Sequence, residues 1–257
     1  MKNRFRKTAG LLGAALFLGT GAAHAALIDF DAGLDTSQAP WSPLLTQGAP
    51  LYQGGYAIST ASMTPGADPD AFVGLLVDGH DVAGTCFGMV CPTDSSSNFL
   101  MAMNDSAVYL TSQSTSGAPF LLSGFKASFV GNGIDPLPAS GGAGVLRVLE
   151  THTDGSVTTE SFELASINGN GDLNFASFSS TNTKPVVAAM FFAYFCDTNG
   201  NCSDAFSNNK AQFALDDINV SAVPEPATWA MTALGLAGLA GVARRRARSR
   251  ANPLNPA

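Results

Sequence analysis

Four cysteines in two close pairs are the residues of this chain with the best-defined chemistry. They are Cys86 with Cys91, and Cys196 with Cys202. Two thiols can oxidise to a disulfide or bind a metal, and an even number in an exported chain favours disulfides. Three pairings are open on the sequence alone, and the short spacings favour pairing within each couple. A metal site is the weaker interpretation, because neither spacing is C-x-x-C.

Catalytic groups are sparse. Glu150, Glu160 and Glu163 lie on the two arms of one predicted hairpin, where two carboxyl groups could approach to the roughly 5–9 Å that glycoside hydrolysis requires. Any acidic hairpin offers as much. His152 lies beside a predicted turn, where we expect it to be solvated. Neither G-x-S-x-G nor H-E-x-x-H is present. We therefore expect no enzymatic activity.

Aromatic residues in the N-terminal third could contact sugars. Trp41, Tyr52 and Tyr56 lie in a stretch rich in proline and glycine. Such rings offer an apolar face together with a polar group, the combination that sugar sites use. Trp41 and Tyr52 are the sugar-binding candidates, with core packing as an equal alternative for Trp41. For Tyr56, core packing is the better interpretation.

Charge is distributed unevenly along the chain. The formal net charge is −7, but nine of the 13 basic residues lie at the two ends. Residues 26–222 hold four basic and 19 acidic residues, a net charge of −15. This balance argues against nucleic acid, which needs a basic footprint, and against anionic lipid headgroups. It permits cations, neutral sugars or basic partners, and by itself it favours solubility outside the cell.

The N-terminus has the three parts of a secretory signal peptide. An apolar segment, Ala9 to Ala22, is followed by the A-x-A sequence Ala23-His24-Ala25. The basic region that precedes them contains Lys2, Arg4, Arg6 and Lys7. We predict a signal peptide over residues 1–25, cut after Ala25, and an exported domain over residues 26–222.

The C-terminus contains a short motif, an apolar segment and a basic tail in that order. Pro224-Glu225-Pro226 precedes an uncharged segment, Ala227 to Ala243. As a helix this segment would be roughly 25 Å long, a minimal membrane span. Five arginines follow within residues 244–250, and a basic flank of this kind stays cytoplasmic. We predict a transmembrane helix over residues 227–243 with the exported domain on the far side of the membrane.

This order of motif, helix and basic tail resembles the PEP-CTERM sorting signal of Gram-negative bacteria that make exopolysaccharide. The resemblance implies a sorting signal over residues 223–250, with Pro224, Glu225 and Pro226 as the processing motif. It also implies an exosortase-type membrane enzyme as a partner and a transient inner-membrane anchor. Delivery to the outer surface or the extracellular biofilm matrix would follow. An ordinary single-pass anchor is the alternative.

Short apolar runs separated by turn residues predict an all-β exported domain. The clearest hairpin joins residues 145–150 to residues 157–164 through Asp154-Gly155, a pair that tolerates the positive φ of a tight turn. Residues 186–192 are apolar on both faces and predict a central strand. Further strands are predicted at Leu27–Phe30, Tyr56–Thr60, Phe72–Val77, Phe99–Met103, Ala107–Thr111, Phe120–Val130, Leu173–Phe178 and Gln212–Val220. These strands predict a two-sheet β-sandwich of the jelly-roll type, with its first and last strands adjacent.

The two ends of the domain resemble jelly-roll domains related to carbohydrate-binding modules. Residues 27–31, Leu-Ile-Asp-Phe-Asp, resemble their first strand, and residues 212–218, Gln-Phe-Ala-Leu-Asp-Asp-Ile, resemble their closing strand. The closing segment also resembles the Q-F-x-x-D signature of one family of PEP-CTERM proteins. In such jelly rolls, acidic residues on these two strands often share a structural calcium ion. The resemblance therefore implies the calcium ligands Asp31 and Asp216, with Asp29 and Asp217 as alternates. Solvent-facing aspartates are the alternative.

Two classes of function remain open. The first is a non-catalytic module associated with carbohydrate or exopolysaccharide, and the second is a structural surface or matrix protein with no discrete ligand. A glycoside hydrolase is a distant third. Saturable sugar binding that falls on Trp41→Ala would separate the first class from the second.

Overall fold

A computed structural model describes residues 25–114, 117–137, 142–197, 199–203, 206, 210–223 and 233–244. The chain divides into two compact units. One is Ala23–Val223, and the other combines Met1–Ala22 with Pro224–Ala257. All of the strands that the described residues form lie in the first unit.

Strands dominate Ala23–Val223, so the all-β prediction is confirmed. A single-turn helix, α1 at Val82–Thr85, interrupts them, and the Asp81 side chain caps it by accepting a hydrogen bond from the Gly84 N–H. The strands are Ala25–Ile28 (β1), Leu44–Thr46 (β2), Pro50–Gln53 (β3), Tyr56–Ser62 (β4), Phe72–Val77 (β5), Phe99–Ala102 (β6), Ser106–Ser112 (β7), Phe120–Val130 (β8), Gly142–His152 (β9), Val157–Ala165 (β10), Ala176–Ser179 (β11), Val186–Phe195 (β12) and Gln212–Ala222 (β13).

These strands form one antiparallel sheet that curls on itself. One half has the order β2-β5-β6-β13-β8-β11, and the other has the order β3-β4-β7-β12-β9-β10. The halves join where Val186 of β12 pairs with Phe120 of β8. The fold is therefore sandwich-like, as predicted, but the two sheets are halves of one continuous sheet. The jelly-roll assignment stays a prediction.

The two halves pack against each other through aromatic side chains. Phe125 of β8 is buried at the centre of this core. Its ring centroid lies 5.1 Å from Phe162 of β10, 5.3 Å from Phe191 of β12 and 5.7 Å from Phe178 of β11. The contacts to Phe162 and Phe191 are edge-to-face, the favoured geometry for aromatic pairs. Phe125 thus connects three strands besides its own.

Three further predictions about the strands are confirmed. The Asp154-Gly155 turn joins β9 to β10, and Gly155 has a φ of 79°. Strand β12 is central, with β7 on one side and β9 on the other. The first and last strands are adjacent, since Ile28 of β1 pairs with Ile218 of β13.

Both predicted disulfides form, Cys86–Cys91 and Cys196–Cys202. Each bridge closes a short loop.

Sequence analysis missed α1, β2 and β3. The two missed strands are only three and four residues long, too short for a period-two pattern to be recognised.

In the second unit, residues 233–244 form a helix, within which the predicted membrane segment 227–243 ends. Among the described residues, no helix has the length and hydropathy that a membrane crossing requires. The predicted signal peptide, apart from Ala25, lies outside the described residues. So do Pro224, Glu225 and Pro226, and so does the arginine-rich tail after Arg244.

Truncation of Phe125 should destabilise the domain. Phe125→Ala removes three ring contacts and leaves a cavity, and we expect a loss of about 3–5 kcal/mol in the free energy of unfolding. Urea unfolding of the full-length chain in mild detergent, followed by circular dichroism, measures this. Phe125→Leu is the control and should cost about 1 kcal/mol. Equal stability of the two variants would contradict the central position of this ring.

Candidate functional site

One edge of β13 is divided between two strands. Strand β6 pairs with residues 213–215, and β1 pairs with residues 218–221 of the same edge. Strand β8 occupies the other edge. Asp216 and Asp217 therefore lie at the gap between β6 and β1. The acidic residues that follow β1 and the loop that precedes β6 meet at this gap.

Asp216 is a buried carboxylate at this gap, with only 1% of its surface exposed. The Ser97 hydroxyl donates to Oδ2 at 3.1 Å, and the Asp217 N–H donates to Oδ1 at 2.8 Å. Burial disfavours the charged form and raises the pKa of Asp216 to about 6, although these hydrogen bonds and Lys126 oppose the rise. Asp216 thus has protein donors on both oxygens.

The predicted partner residue, Asp31, reaches the same loop from the other side. Its Oδ1 accepts a hydrogen bond of 2.9 Å from the N–H of Asn98, the residue after Ser97. Asp29 is held differently, since its Oδ1 accepts from Gln53 Nε2 at 2.6 Å. The structure therefore brings Asp31 and Asp216 to one short segment, while Asp29 is bound to β3.

Asp217, the other alternate, is held by an ion pair. Lys126 Nζ lies 2.6 Å from its Oδ2, and this contact raises the pKa of Lys126. Asp217 has a φ of 47°, where the β8–β13 register shifts. Such a bulge redirects a side chain, here toward Lys126. Asp217 is therefore engaged by a protein cation.

Calcium needs six to eight oxygen ligands at roughly 2.4 Å. Within the part of the chain that the structure describes, no group of three or more acidic, histidine or cysteine side chains could hold a metal ion. Asp31 and Asp216 supply two carboxylates, each already bonded to the protein. Calcium at this gap stays a prediction.

The two predicted sugar-binding residues lie in different places. Trp41 lies in the loop before β2 and is 63% exposed. Tyr52 is half-buried on β3 and pairs with Ala57 of β4. Tyr56 is a core residue, as expected, with its ring 5.3 Å from that of Phe120. Trp41 and Tyr52 do not lie on a common strand or strand pair.

Tyr52 instead shares a face with aromatic residues that sequence analysis missed. In an antiparallel sheet, directly paired residues point to the same side. Tyr52 pairs with Ala57, which pairs with Thr111 of β7, two positions from Tyr109. Tyr109 in turn pairs with Met190 of β12. We call this side of the β3-β4-β7-β12-β9-β10 half, opposite the core, the outer aromatic face.

The centre of the outer aromatic face is formed by β12 and β9. Phe192 of β12 lies 5.7 Å, centroid to centroid, from Tyr194 of the same strand and 5.2 Å from Phe206. The Arg147 guanidinium of β9 lies 4.8 Å from the centre of the Tyr194 ring. Arg147 Nη1 also donates to the Tyr194 hydroxyl at 3.3 Å. Tyr109 and Tyr194 are partly exposed, and the Tyr109 hydroxyl donates to Met63 Sδ at 3.1 Å.

The sequence contained a signal for this face. Met190, Phe192 and Tyr194 alternate along β12, while Phe191 faces the core. A strand that is apolar on both sides of a sheet is expected when both sides are covered. Tyr109 was not assigned a role because β7 reads as an ordinary core strand.

The expectation for His152 was wrong. His152 is 3% exposed, with Nδ1 3.1 Å from the Pro185 carbonyl and Nε2 2.8 Å from Thr158 Oγ1. A carbonyl can only accept, so Nδ1 carries a proton. The turn beside His152 is exposed, but the pairing of His152 with Val186 of β12 brings its ring to the Pro185 carbonyl just before that strand.

The hairpin glutamates have structural contacts. Glu150 is 1% exposed, and burial raises its pKa. Its Oε2 accepts from Asn182 Nδ2, and Glu160 Oε1 accepts from the Thr181 N–H at 2.8 Å. Both side chains hold the segment that leads into β12.

Comparison with protein families gives one match. Residues 222–247 match the family model of the PEP-CTERM protein-sorting motif. The chain carries a PEP-CTERM sorting motif. The PEP-CTERM motif implies export and exosortase-dependent sorting to the cell surface. No curated protein matches the chain.

The solved structures similar to this chain have low TM-scores. A variant of CBM29-2, a family 29 carbohydrate-binding module, is 12% identical with a TM-score of 0.31 and covers 79% of this chain and 99% of its own. Tailspike protein 4 of bacteriophage CBA120 is 11% identical with a TM-score of 0.29, and the match covers 66% of this chain and 20% of the tailspike chain. The family 22 carbohydrate-binding and GH10 modules of Clostridium thermocellum xylanase 10B are 8% identical with a TM-score of 0.30, and the match covers 66% of this chain and 26% of theirs. Scores at this level carry no functional argument.

Burial of Asp216 should make stability depend on pH. Because the pKa is raised from 3.8 to about 6, the folded state holds an extra proton between these values. The stabilisation of the folded state by this proton is complete below pH 3.8 and is lost as the pH rises through about 6. It contributes at most roughly 3 kcal/mol to the free energy of unfolding. Asp216→Asn should remove this dependence from urea unfolding measured between pH 4 and 7 in chelator.

Asp31→Asn is the control, because it removes another carboxylate at the same gap and keeps the buried Asp216, so the pH dependence should persist in chelator. Calcium bound at the gap would favour the carboxylate, so added calcium would stabilise the protein at pH 7 and flatten the profile. An unchanged profile in Asp216→Asn would contradict the assignment of this titration to Asp216.

Proposed function

We propose that the exported domain of this exosortase-sorted protein is a non-catalytic module that binds polysaccharide across the outer aromatic face. The observation that carries the proposal is the alignment of Tyr52, Tyr109 and Tyr194 on one side of one half of the sheet. An exosortase-type processing enzyme and exopolysaccharide are the partners that the proposal assigns. Export to the surface or matrix of a Gram-negative bacterium would follow a transient stay in the inner membrane.

The three tyrosines follow a diagonal across the strands. Tyr52 lies on β3, Tyr109 two strands away on β7, and Tyr194 on β12, next to β7. Measured along β12, each tyrosine lies further toward the end of that strand than the one before it. We call the line from Tyr52 through Tyr109 to Tyr194 the track. With strands about 4.8 Å apart and a rise of about 3.4 Å per residue, the track is about 25 Å long. An extended polymer, rather than a single small molecule, fits this length.

The chemistry around the track also suits a sugar chain. A pyranose ring has an apolar side that packs on an aromatic ring and hydroxyl groups at its rim, so it needs both surfaces at once. Hydroxyls from Ser59 and Thr111 lie in the rows of Tyr109 and Tyr52, and Ser161 lies opposite Arg147. The side chains are held on β-strands, which reduces the entropy lost on binding.

The alternative is a structural matrix protein with no discrete ligand. The acidic surface of the domain would then itself serve the function in the matrix. The outer aromatic face would contribute to packing alone. The two functions differ in one measurable property, saturable binding.

Removal of a track tyrosine should weaken polysaccharide binding. We expect Tyr109→Ala and Tyr52→Ala each to reduce affinity for the producer's exopolysaccharide about tenfold, since a buried aromatic contact contributes about 1–2 kcal/mol. Affinity electrophoresis and calorimetry of the full-length chain in mild detergent measure this. Thermal unfolding of each variant shows whether the fold is retained.

Phe87→Ala is the matched control, because Phe87 is 62% exposed and lies on the Cys86–Cys91 loop. It should leave the affinity unchanged. Trp41→Ala tests the other predicted sugar contact independently of the track. Absence of saturable binding to the exopolysaccharide and to a panel of neutral glycans would refute the proposal and favour the structural alternative.

The sorting motif yields a separate prediction. Glu225→Ala should leave an uncut, membrane-associated form, because the change removes the charged residue between Pro224 and Pro226. Fractionation and immunoblotting of producing cells detect the retained form, with the conservative change Glu225→Asp as a comparison. Normal maturation of Glu225→Ala would contradict the role of this motif.

A further inference from the structure

We infer that the outer aromatic face is selective for an acidic polysaccharide, with the Arg147 guanidinium donating hydrogen bonds to a sugar carboxylate beside Tyr194. The inference rests on the proposed function and assigns its ligand class. The inference depends on Arg147, a basic residue in a very acidic domain, and on the side chains that surround it.

The basic residues of the exported domain are used differently. Lys126 lies 2.6 Å from an Asp217 oxygen, and Lys210 lies 3.2 Å from an Asp135 oxygen. Lys184 is exposed on the segment before β12. Arg147 is exposed on the outer aromatic face, and no carboxylate among the described residues lies within 4.0 Å of it. In a domain with 19 acidic residues, an arginine without such a partner is available for a ligand.

The guanidinium is already oriented. It lies 4.8 Å from the centre of the Tyr194 ring, and one nitrogen donates to the Tyr194 hydroxyl. Stacking and this hydrogen bond hold the planar group, and its remaining N–H groups stay free to donate. A guanidinium presents paired donors that match the two oxygens of a carboxylate. A neutral hydroxyl would use only part of this geometry.

Few of the charged strand residues that the structure describes point outward on this face. By the strand register, Arg147 and Glu163 are the charged side chains among the described strand residues that point outward here. Glu163 pairs with Val145 and is the diagonal neighbour of Arg147, but its carboxylate lies along Gly142 and not within 4.0 Å of the guanidinium. The cross-strand neighbours of Arg147 are Ser161 and Phe192, both uncharged. Repulsion from acidic loops further away is screened beyond about 8 Å at physiological salt.

The test compares two polymers that differ only in the carboxylate. Full-length chain in mild detergent is titrated with a polyuronate and with the same polyuronate after reduction of its carboxyl groups to alcohols. We expect at least about tenfold tighter binding of the acidic form, since hydrogen bonds to a charged partner are the stronger ones. Arg147→Gln should abolish the difference, because it weakens the binding of the acidic form far more than the binding of the reduced polymer.

Two further variants provide the controls. Glu163→Gln changes one charge on the same face and should preserve or increase the preference. Arg147→Lys keeps the charge but loses the paired donors, so it should retain only part of the preference. Unchanged thermal unfolding of all three variants shows that the fold is retained.

The possible failures are distinguishable. Equal binding of both polymers, unaffected by Arg147→Gln, overturns the inference and leaves the proposed function standing. Binding of neither polymer overturns the inference, and the neutral-glycan panel then decides whether the proposed function fails as well.

Discussion

Strand β12 packs Phe191 against Phe125 on one side and carries Met190, Phe192 and Tyr194 on the other. Its inner side is part of the core between the two halves of the sheet, and it pairs with both β7 and β9. Its outer side cannot be buried by the same core, because the curl of the sheet closes only one side. The outer aromatic face is thus a direct consequence of a central strand with two apolar sides, and the proposed ligand would cover it.

The local signals in the sequence were sufficient for most of the strands. The Asp154-Gly155 turn, the uniformly apolar β12 and the two close cysteine pairs each depend on neighbouring residues, and each prediction is confirmed. The joining of the halves through Val186 and Phe120 depends on residues far apart in the chain, so it could not be read in advance.

The candidate sites were harder to predict for the same reason. His152 was expected to be solvated because it lies beside a turn, yet its ring is buried and bonded to Pro185 and Thr158. Tyr52 was singled out as a sugar-binding candidate, and its relation to Tyr109 and Tyr194 depends on the pairing register of four strands. Trp41 was chosen for composition alone, and nothing in its surroundings links it to that face.

The pairing of β1 with β13 has a mechanical consequence. Ala25 lies opposite Ser221, and the chain continues from Ala222 directly into the sorting motif. A force applied along the axis of β13 from this end would load its hydrogen bonds to β8 and β1 together in shear instead of opening them one by one. A domain held at that end, with polymer bound across another strand set, would transmit tension through the most extensively paired strand of the fold.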